Sequence, residues 1–225
     1  MRRSKDPLTA TTTSILKPAI TPLGFREISL RSFGRVNDGV LQYFNLQLSA
    51  WGSKKFAVNY AAMALFIPRQ SFAWIFGGRL PRGKSSDGWW ASKTHELADS
   101  SMHDVVARFI VHCVPWFERT STTLGFLNAL LKEHATRQEA DAHYLFEIGC
   151  CHAYLGQIAE AQSALELAIS TYHRWHKEVP GRVWCLGYIK LCEQLVVAIR
   201  VAQHIQLLTL WQTESIRNLK LQKIL

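Results

Sequence analysis

Residues 29–49 read SLRSFGRVNDGVLQYFNLQLS, and this stretch decides the fold class. Asn37-Asp38-Gly39 separates two apolar-rich runs, and these residue types tolerate the positive φ that a tight hairpin turn demands. The spacing predicts one strand over 29–35 and a second over 40–49. In the second run Val40, Phe44, Leu46 and Leu48 share a face that Gln42 interrupts, while Tyr43, Asn45 and Gln47 lie opposite. A further turn, Trp51-Gly52-Ser53-Lys54-Lys55, leads into Phe56–Ile67. That run is apolar on both faces except at Asn59, as in a covered strand. Three strands joined in this way form an antiparallel meander.

Working outward, Thr12–Thr21 reads as a short helix weakened by Pro18, and Phe72–Phe76 is strand-like. Ser101-x-x-Asp104 resembles a capping box with Asp in place of Glu. The helix it opens carries Val105, Val106, Phe109, Ile110, Cys113 and Val114 on one stripe, and Pro115 is expected to end it. From residue 121 the periodicity is helical: Thr122–His134, Glu139–Leu155, Ile158–His176, Arg182–Ala202 and a last helix reaching towards Leu221. Gly156 and Pro180-Gly181 supply the breaks. The expected architecture is α+β over 1–120, an antiparallel β-meander with packed helices, followed by an all-α segment over 121–225.

The composition agrees with a folded chain: 225 residues, 48% hydrophobic and 19% charged. No stretch of about 18 uncharged apolar residues exists, so no membrane span is expected. The most apolar region, Val183 to Trp211, is interrupted by Lys190, Glu193 and Arg200. The opening MRRSKDPLTATTTS is basic with no apolar segment behind it, so no secretory signal is read. Cys113, Cys150, Cys151, Cys185 and Cys192 are odd in number, lack a C-x-x-C pair and sit in apolar contexts. They read as reduced, buried thiols of a cytoplasmic protein. The nearest approach to a metal set, His173 and His176 with Cys185 and Cys192, lacks two close ligand pairs; no metal and no cofactor are expected.

Charge is unevenly spread. Residues 1–120 carry 16 basic and 8 acidic side chains, net +8, and residues 121–225 carry 10 and 9, net +1. Within 54–93, Lys54, Lys55, Arg69, Arg79, Arg82, Lys84 and Lys93 face one acid, Asp87, with Trp74, Trp89 and Trp90 interleaved. Arg79, Arg82, Lys84, Trp89 and Trp90 are the candidate binding residues of this basic, aromatic surface. Such a set suits an acidic protein surface, or single-stranded nucleic acid through phosphate neutralisation and base stacking.

Two resemblances attach to particular residues. Leu23-Gly24-Phe25, the Asp38-Gly39 hairpin, Phe44-Asn45-Leu46-Gln47, a strand from Phe56 to Asn59, Arg79-Leu80, Trp89-Trp90 and Pro115 to Glu118 occur in an order and spacing similar to a bacterial family, the domain of unknown function 4304 family. The likeness covers roughly residues 15–130. It departs at Pro81, where family members tend to have glycine, and it implies a fold without a mechanism. Residues 142–175 look like one tetratricopeptide repeat, through Leu145, Ile148, Gly149, Gly156, Ala161, Leu165 and Ala168. Gly149 and Ala161 are small where two such helices would cross, and Gly156 allows the turn between them. That resemblance implies a concave ligand face of His143, Phe146, Cys150 and Tyr154. The alternative is that these side chains pack against neighbouring helices, because one repeat cannot bury its apolar face alone.

Gly78-Arg79-Leu80-Pro81-Arg82-Gly83-Lys84-Ser85 fits the phosphate-binding pattern G-x-x-x-x-G-K-[ST]. That loop works only where a helix begins at its end, and here Ser86-Asp87-Gly88 follows as a turn signal. No G-x-S-x-G and no H-E-x-x-H occurs. The sequence therefore reads as a non-enzymatic protein-interaction module of scaffold or toxin-neutralising type. Residues 121–225 would dock a partner or a second copy, and the basic half would meet an acidic surface. Nucleic-acid binding through residues 54–93 is the alternative, and a nucleotide hydrolase using Lys84 comes third.

Overall fold

The computed structural model describes residues 6–50, 54–72, 75–83 and 88–225. It opens with α1 (Pro7–Thr11), a π turn (Thr12–Leu16), α2 (Lys17–Ile20) and a 3-10 turn (Thr21–Leu23). An antiparallel sheet follows: β1 (Arg26–Ser29), β2 (Ser32–Asn37), β3 (Val40–Leu48), β4 (Lys55–Ala64), β5 (Gly77–Arg79) and β6 (Trp90–Ala91). The strands lie in the order β1-β2-β3-β4-β5, with β6 paired to the start of β4. Next come α3 (His95–Arg108), a π turn (Phe109–Cys113) and α4 (Val114–Arg119). The helical segment comprises α5 (Thr123–His134), α6 (Ala142–Tyr154), α7 (Ile158–Glu178), α8 (Trp184–Arg200) and α9 (His204–Asn218), closed by a 3-10 turn (Leu221–Lys223). The fold is α+β, a meander with packed helices followed by a mostly helical segment. No helix among the described residues is long and apolar enough to cross a membrane.

The Asp-Gly hairpin forms as expected. Asp38 and Gly39 have φ of 44° and 74°, and Asn37 pairs with Val40 across the two-residue turn. The run 29–35 is not one strand: Leu30 and Arg31 make a turn between β1 and β2, with Arg31 at φ 66°. No glycine, asparagine or proline marks this turn, so alternation alone reads through it. The strand-like Phe72–Phe76 contains no strand among its described residues; pairing with β4 begins at Gly77. Trp51-Gly52-Ser53 of the expected second turn and Trp74 lie outside the described residues.

Two helix boundaries also differ from expectation. Thr94 caps α3, its side chain accepting from the Leu97 N–H, while Ser101 lies inside the helix and donates to the Ala91 carbonyl. Pro115 does not end the helix. In the π turn before it the Val114 N–H reaches the Phe109 carbonyl, five residues back, and the helix resumes. Lys17 bonds Thr12 in the same way just ahead of Pro18. Each widened turn makes room for a ring that a regular α-helix would exclude.

One face of β3 and β4 packs Phe44, Leu46, Phe56 and Val58 against Leu8, Leu16, Met102, Val105, Phe109 and Phe117. Gln42, the polar interruption on this face, is fully buried. It donates to the Phe117 carbonyl and the Thr120 hydroxyl and accepts from Arg35 Nε at 2.7 Å, so its amide is satisfied at the C-terminal end of α4. Farther along, Val40, Ala62, Ala64 and Phe66 join α5 to α9 in one cluster that crosses residue 120. On the opposite face Leu219 and Leu221 cover Leu41, Tyr43, Ala61 and Met63.

The junction is polar at one point. Arg69, just past β4, donates Nη2 to Glu147 Oε1 of α6, with the two side chains 6% and 4% exposed. Around it the Arg69 N–H donates to Ser215 Oγ, Ser215 Oγ donates to the Ile67 carbonyl, and Asn218 Nδ2 donates to the Arg69 carbonyl. Truncating one member strands the other in the core, so Arg69→Met is expected to cost about 3–5 kcal/mol in urea unfolding. The double variant Arg69→Met/Glu147→Leu is expected to recover most of that loss.

Candidate functional site

The second face of the sheet is covered only in part. Beyond Tyr43 the alternation of β3 turns Asn45 and Gln47 outward, and register places Asn59 of β4 opposite Asn45 and Arg79 of β5 opposite Asn59. Arg79 donates Nε to Asn59 Oδ1 at 3.1 Å and Nη2 to Gln47 Oε1 at 3.2 Å. Asn59 Nδ2 in turn donates to Gln47 Oε1 at 2.8 Å and to Asn45 Oδ1 at 3.2 Å. The guanidinium carbon lies 5.1 Å from the centroid of the Trp89 ring, within cation–π range.

Asn45, Gln47 and Asn59 line a cleft of about 520 Å³ together with Gly77 and Gly78, and Arg79 adjoins it through its bonds to Asn59 and Gln47. Gly77 is dictated by close approach: a Cβ there would stand 2.2 Å from the Tyr60 carbonyl oxygen. Among the described residues no carboxylate lies within ion-pair distance of Arg79. The arrangement is a fixed cation held by neutral amides and an aromatic face. It can donate to an anion, and it offers no group that exchanges a proton near neutral pH.

Of the residues expected to form the basic aromatic surface, Arg79, Arg82 and Trp89 converge. Arg82 Nη1 donates to the Trp89 carbonyl at 2.8 Å. Trp90 does not join them. It is fully buried against Phe56, and its Nε1 donates to Asp104 Oδ2 at 2.8 Å, because alternation in β6 sends Trp90 into the core. Burial works against the Asp104 charge, but the Trp90 and Arg108 hydrogen bonds outweigh it and hold that carboxyl below its ordinary pKa. Arg69 leaves the basic surface for its buried pair. Lys54, Lys55 and Lys93 border a separate hollow at one end of the sheet. Lys84, Ser85, Ser86 and Asp87 lie outside the described residues. The phosphate-loop pattern starts in β5, antiparallel to β4. The residues described after it are irregular at 88–89 and strand at Trp90–Ala91, and the next helix begins at His95.

The helical concave face is filled by its neighbours. His143 stacks on Trp184 at 5.3 Å, packs edge-on to Tyr188, and its Nδ1 lies 2.9 Å from the Tyr172 hydroxyl. Phe146 meets Tyr188, Cys150 is fully buried, and Tyr154 stacks on Phe66 of the turn after β4 at 4.2 Å and 10°. These four side chains therefore pack among α7, α8 and the turn that follows β4. All five cysteines are buried and free. The geometry of α6 and α7 is nevertheless compatible with a tetratricopeptide-like pair, since a Cβ on Gly149 would stand 2.8 Å from Leu165 Cγ.

Residues 16–119 match the family described as Domain of unknown function (DUF4304). Comparison with curated proteins finds no match, and neither does comparison with solved structures. The DUF4304 match spans the meander and the α3–α4 helix, and it contains Asn45, Gln47, Asn59, Gly77, Gly78, Arg79 and Trp89. Three cleft residues, Asn45, Gln47 and Asn59, were not expected as site residues. Their signal was present as polar positions on an otherwise apolar strand pair, but only register brings them to Arg79.

Burial sets the titration of His143. Desolvation lowers its pKa below the ordinary histidine value, Asp141 and Glu147 pull it up, and Arg69 pushes it down. The unfolded chain then takes up this proton before the folded one, so stability falls as pH drops below about 6.5. Thermal melts between pH 7.5 and 5 are expected to show that loss, and His143→Gln is expected to flatten it.

Proposed function

We propose that this protein is a non-enzymatic interaction module, of a scaffold or neutralising kind, whose sheet cleft receives an acidic group of a partner protein. The observation that carries the reading is the state of Arg79. Its neighbours are the amides of Asn59 and Gln47 and the ring of Trp89, so its charge is oriented but not neutralised by any described carboxylate. A carboxylate entering the cleft would complete a charge-assisted pair with a cation whose side chain is already held, which reduces the ordering cost of binding. The +8 charge of residues 1–120 adds long-range attraction for the same class of partner.

Nucleic acid is the second reading, favoured by the Arg79–Trp89 stack, which resembles a base-stacking platform. It is the weaker one because Trp90 is in the core and leaves Trp89 alone beside the guanidinium among the described residues. A nucleotide-hydrolase reading has no helix N-terminus in the segment described after the glycine pattern to support it.

Titration calorimetry with Glu- and Asp-rich peptides and with single-stranded oligonucleotides separates the readings. An acidic peptide is expected to bind, to weaken as salt rises, and to lose about ten- to a hundredfold in affinity in Arg79→Gln, the worth of a hydrogen bond to a charged group. Peptide binding indifferent to Arg79→Gln, or binding confined to oligonucleotides, overturns the proposal.

A further inference from the structure

The outward side of α8 carries a patterned row of side chains that is left largely exposed. The helix turns Cys185, Ile189, Cys192, Leu195 and Ile199 inward, and leaves Val183, Leu186, Lys190, Glu193, Val197 and Val201 on the surface. The four apolar members are 65%, 49%, 57% and 56% exposed, which is far from the usual place of such side chains. Their intervals of three and four residues define a single straight row, the spacing of a helix–helix seam. The row covers about 27 Å, from the residue that caps the start of α8 to the one that caps its end.

The order along this row is the same from either end: two apolar residues, a charge, the opposite charge, two apolar residues. We infer that α8 pairs with α8 of a second copy, antiparallel, about a two-fold axis passing between Lys190 and Glu193. That operation sets Lys190 of one copy against Glu193 of the other, Leu186 against Val197, and Val183 against Val201, each contact occurring twice. An isologous interface requires such self-complementarity, whereas an unrelated partner gives no reason for it. Charge argues the same way. The row holds one cation and one anion, in a chain with a net charge of +9, so neither a strongly acidic nor a strongly basic partner matches it.

The relief of the surface supports the same geometry. Along the C-terminal half of the row, α8 and α9 enclose a cleft of about 570 Å³ whose apolar lining is Val197, Ala198, Val201, Leu207 and Leu210, with Lys190, Glu193 and three glutamines at its polar edge. The antiparallel arrangement brings Val183 and Leu186 of the second copy to this cleft, so each copy supplies one knob and one hole. Gly187 lies beside the seam, and a Cβ there would meet nothing within 4 Å, which leaves bare backbone for close approach. The surface is distinct from the sheet cleft, so pairing leaves Arg79 free.

Sedimentation velocity on the full chain tests the inference. The protein is expected to pass from 25.6 kDa to twice that mass as its concentration rises. Lys190→Glu and Glu193→Lys each set like charges face to face and are expected to raise the dimer dissociation constant on the order of tenfold or more. The double variant Lys190→Glu/Glu193→Lys restores opposite charges and is expected to restore the dimer. Both positions are exposed, so unchanged circular dichroism shows that the variants fold. A chain that stays monomeric at every concentration, a dimer indifferent to the single reversals, or a double reversal that does not recover would each overturn the pairing.

Discussion

A guanidinium and a carboxylate removed from water hold the sheet to the helices. Arg69 stands where the chain leaves β4 and Glu147 stands in the middle of α6, so their pair ties the end of an inner strand of the sheet to a helix of the second segment. Neither charge is tolerable in the core alone, and both lie within a few percent of complete burial. Among the described residues Arg69 Nε has no partner, so the junction is not fully satisfied even in the folded state. Such a pair contributes little net stability compared with apolar residues of similar size. What it contributes is position, because any other docking of α6 on the sheet leaves two buried charges apart. Ser215 and Asn218 of α9 bond the backbone of the same short segment, which brings the C-terminal end across the sheet.

That placement decides what is left open. Leu219 and Leu221 reach the second sheet face over Leu41, Tyr43 and Met63 and extend no farther. The uncovered remainder of β3, β4 and β5 carries Asn45, Gln47, Asn59 and Arg79. These side chains satisfy one another and stay hydrated, so the face needs no lid. The same economy appears on α8, where the inward row is used within the chain and the outward row is left largely exposed. The two surfaces differ in chemistry, one cationic and polar, the other neutral and apolar, and they suit different occupants.

Much of the architecture was legible because local signals agreed with the global answer. Asp38-Gly39 could only be a tight turn, the alternation of β3 held from Phe44 to Gln47 before failing at the exposed Leu48, and the helices from Thr123 to Asn218 followed their periodicity closely. The misreadings arise where the deciding interaction leaves no signal in residue type or periodicity. Leu30-Arg31 turns without turn residues because β1 has β2 to pair with. Pro115 sits inside a helix because a π turn makes room for it, and packing of Phe109 and Phe117 on Phe25 and Phe44 holds both sides together. Trp90 and Arg69 counted as a basic, aromatic surface in one dimension and proved to be core and buried pair in three.

The sequence by itself determined the class of the protein: an antiparallel meander with packed helices, then a helical segment, with positive charge concentrated in the first part. Periodicity and turn chemistry carry that information, since each depends on neighbours within a few residues. Only the tertiary structure decided which charges face water, which aromatics reach the surface, and that Asn59 and Gln47 meet Arg79 beside one cleft. Those outcomes depend on strand register and helix docking, where groups far apart in the chain share one dielectric environment and no local pattern records their encounter.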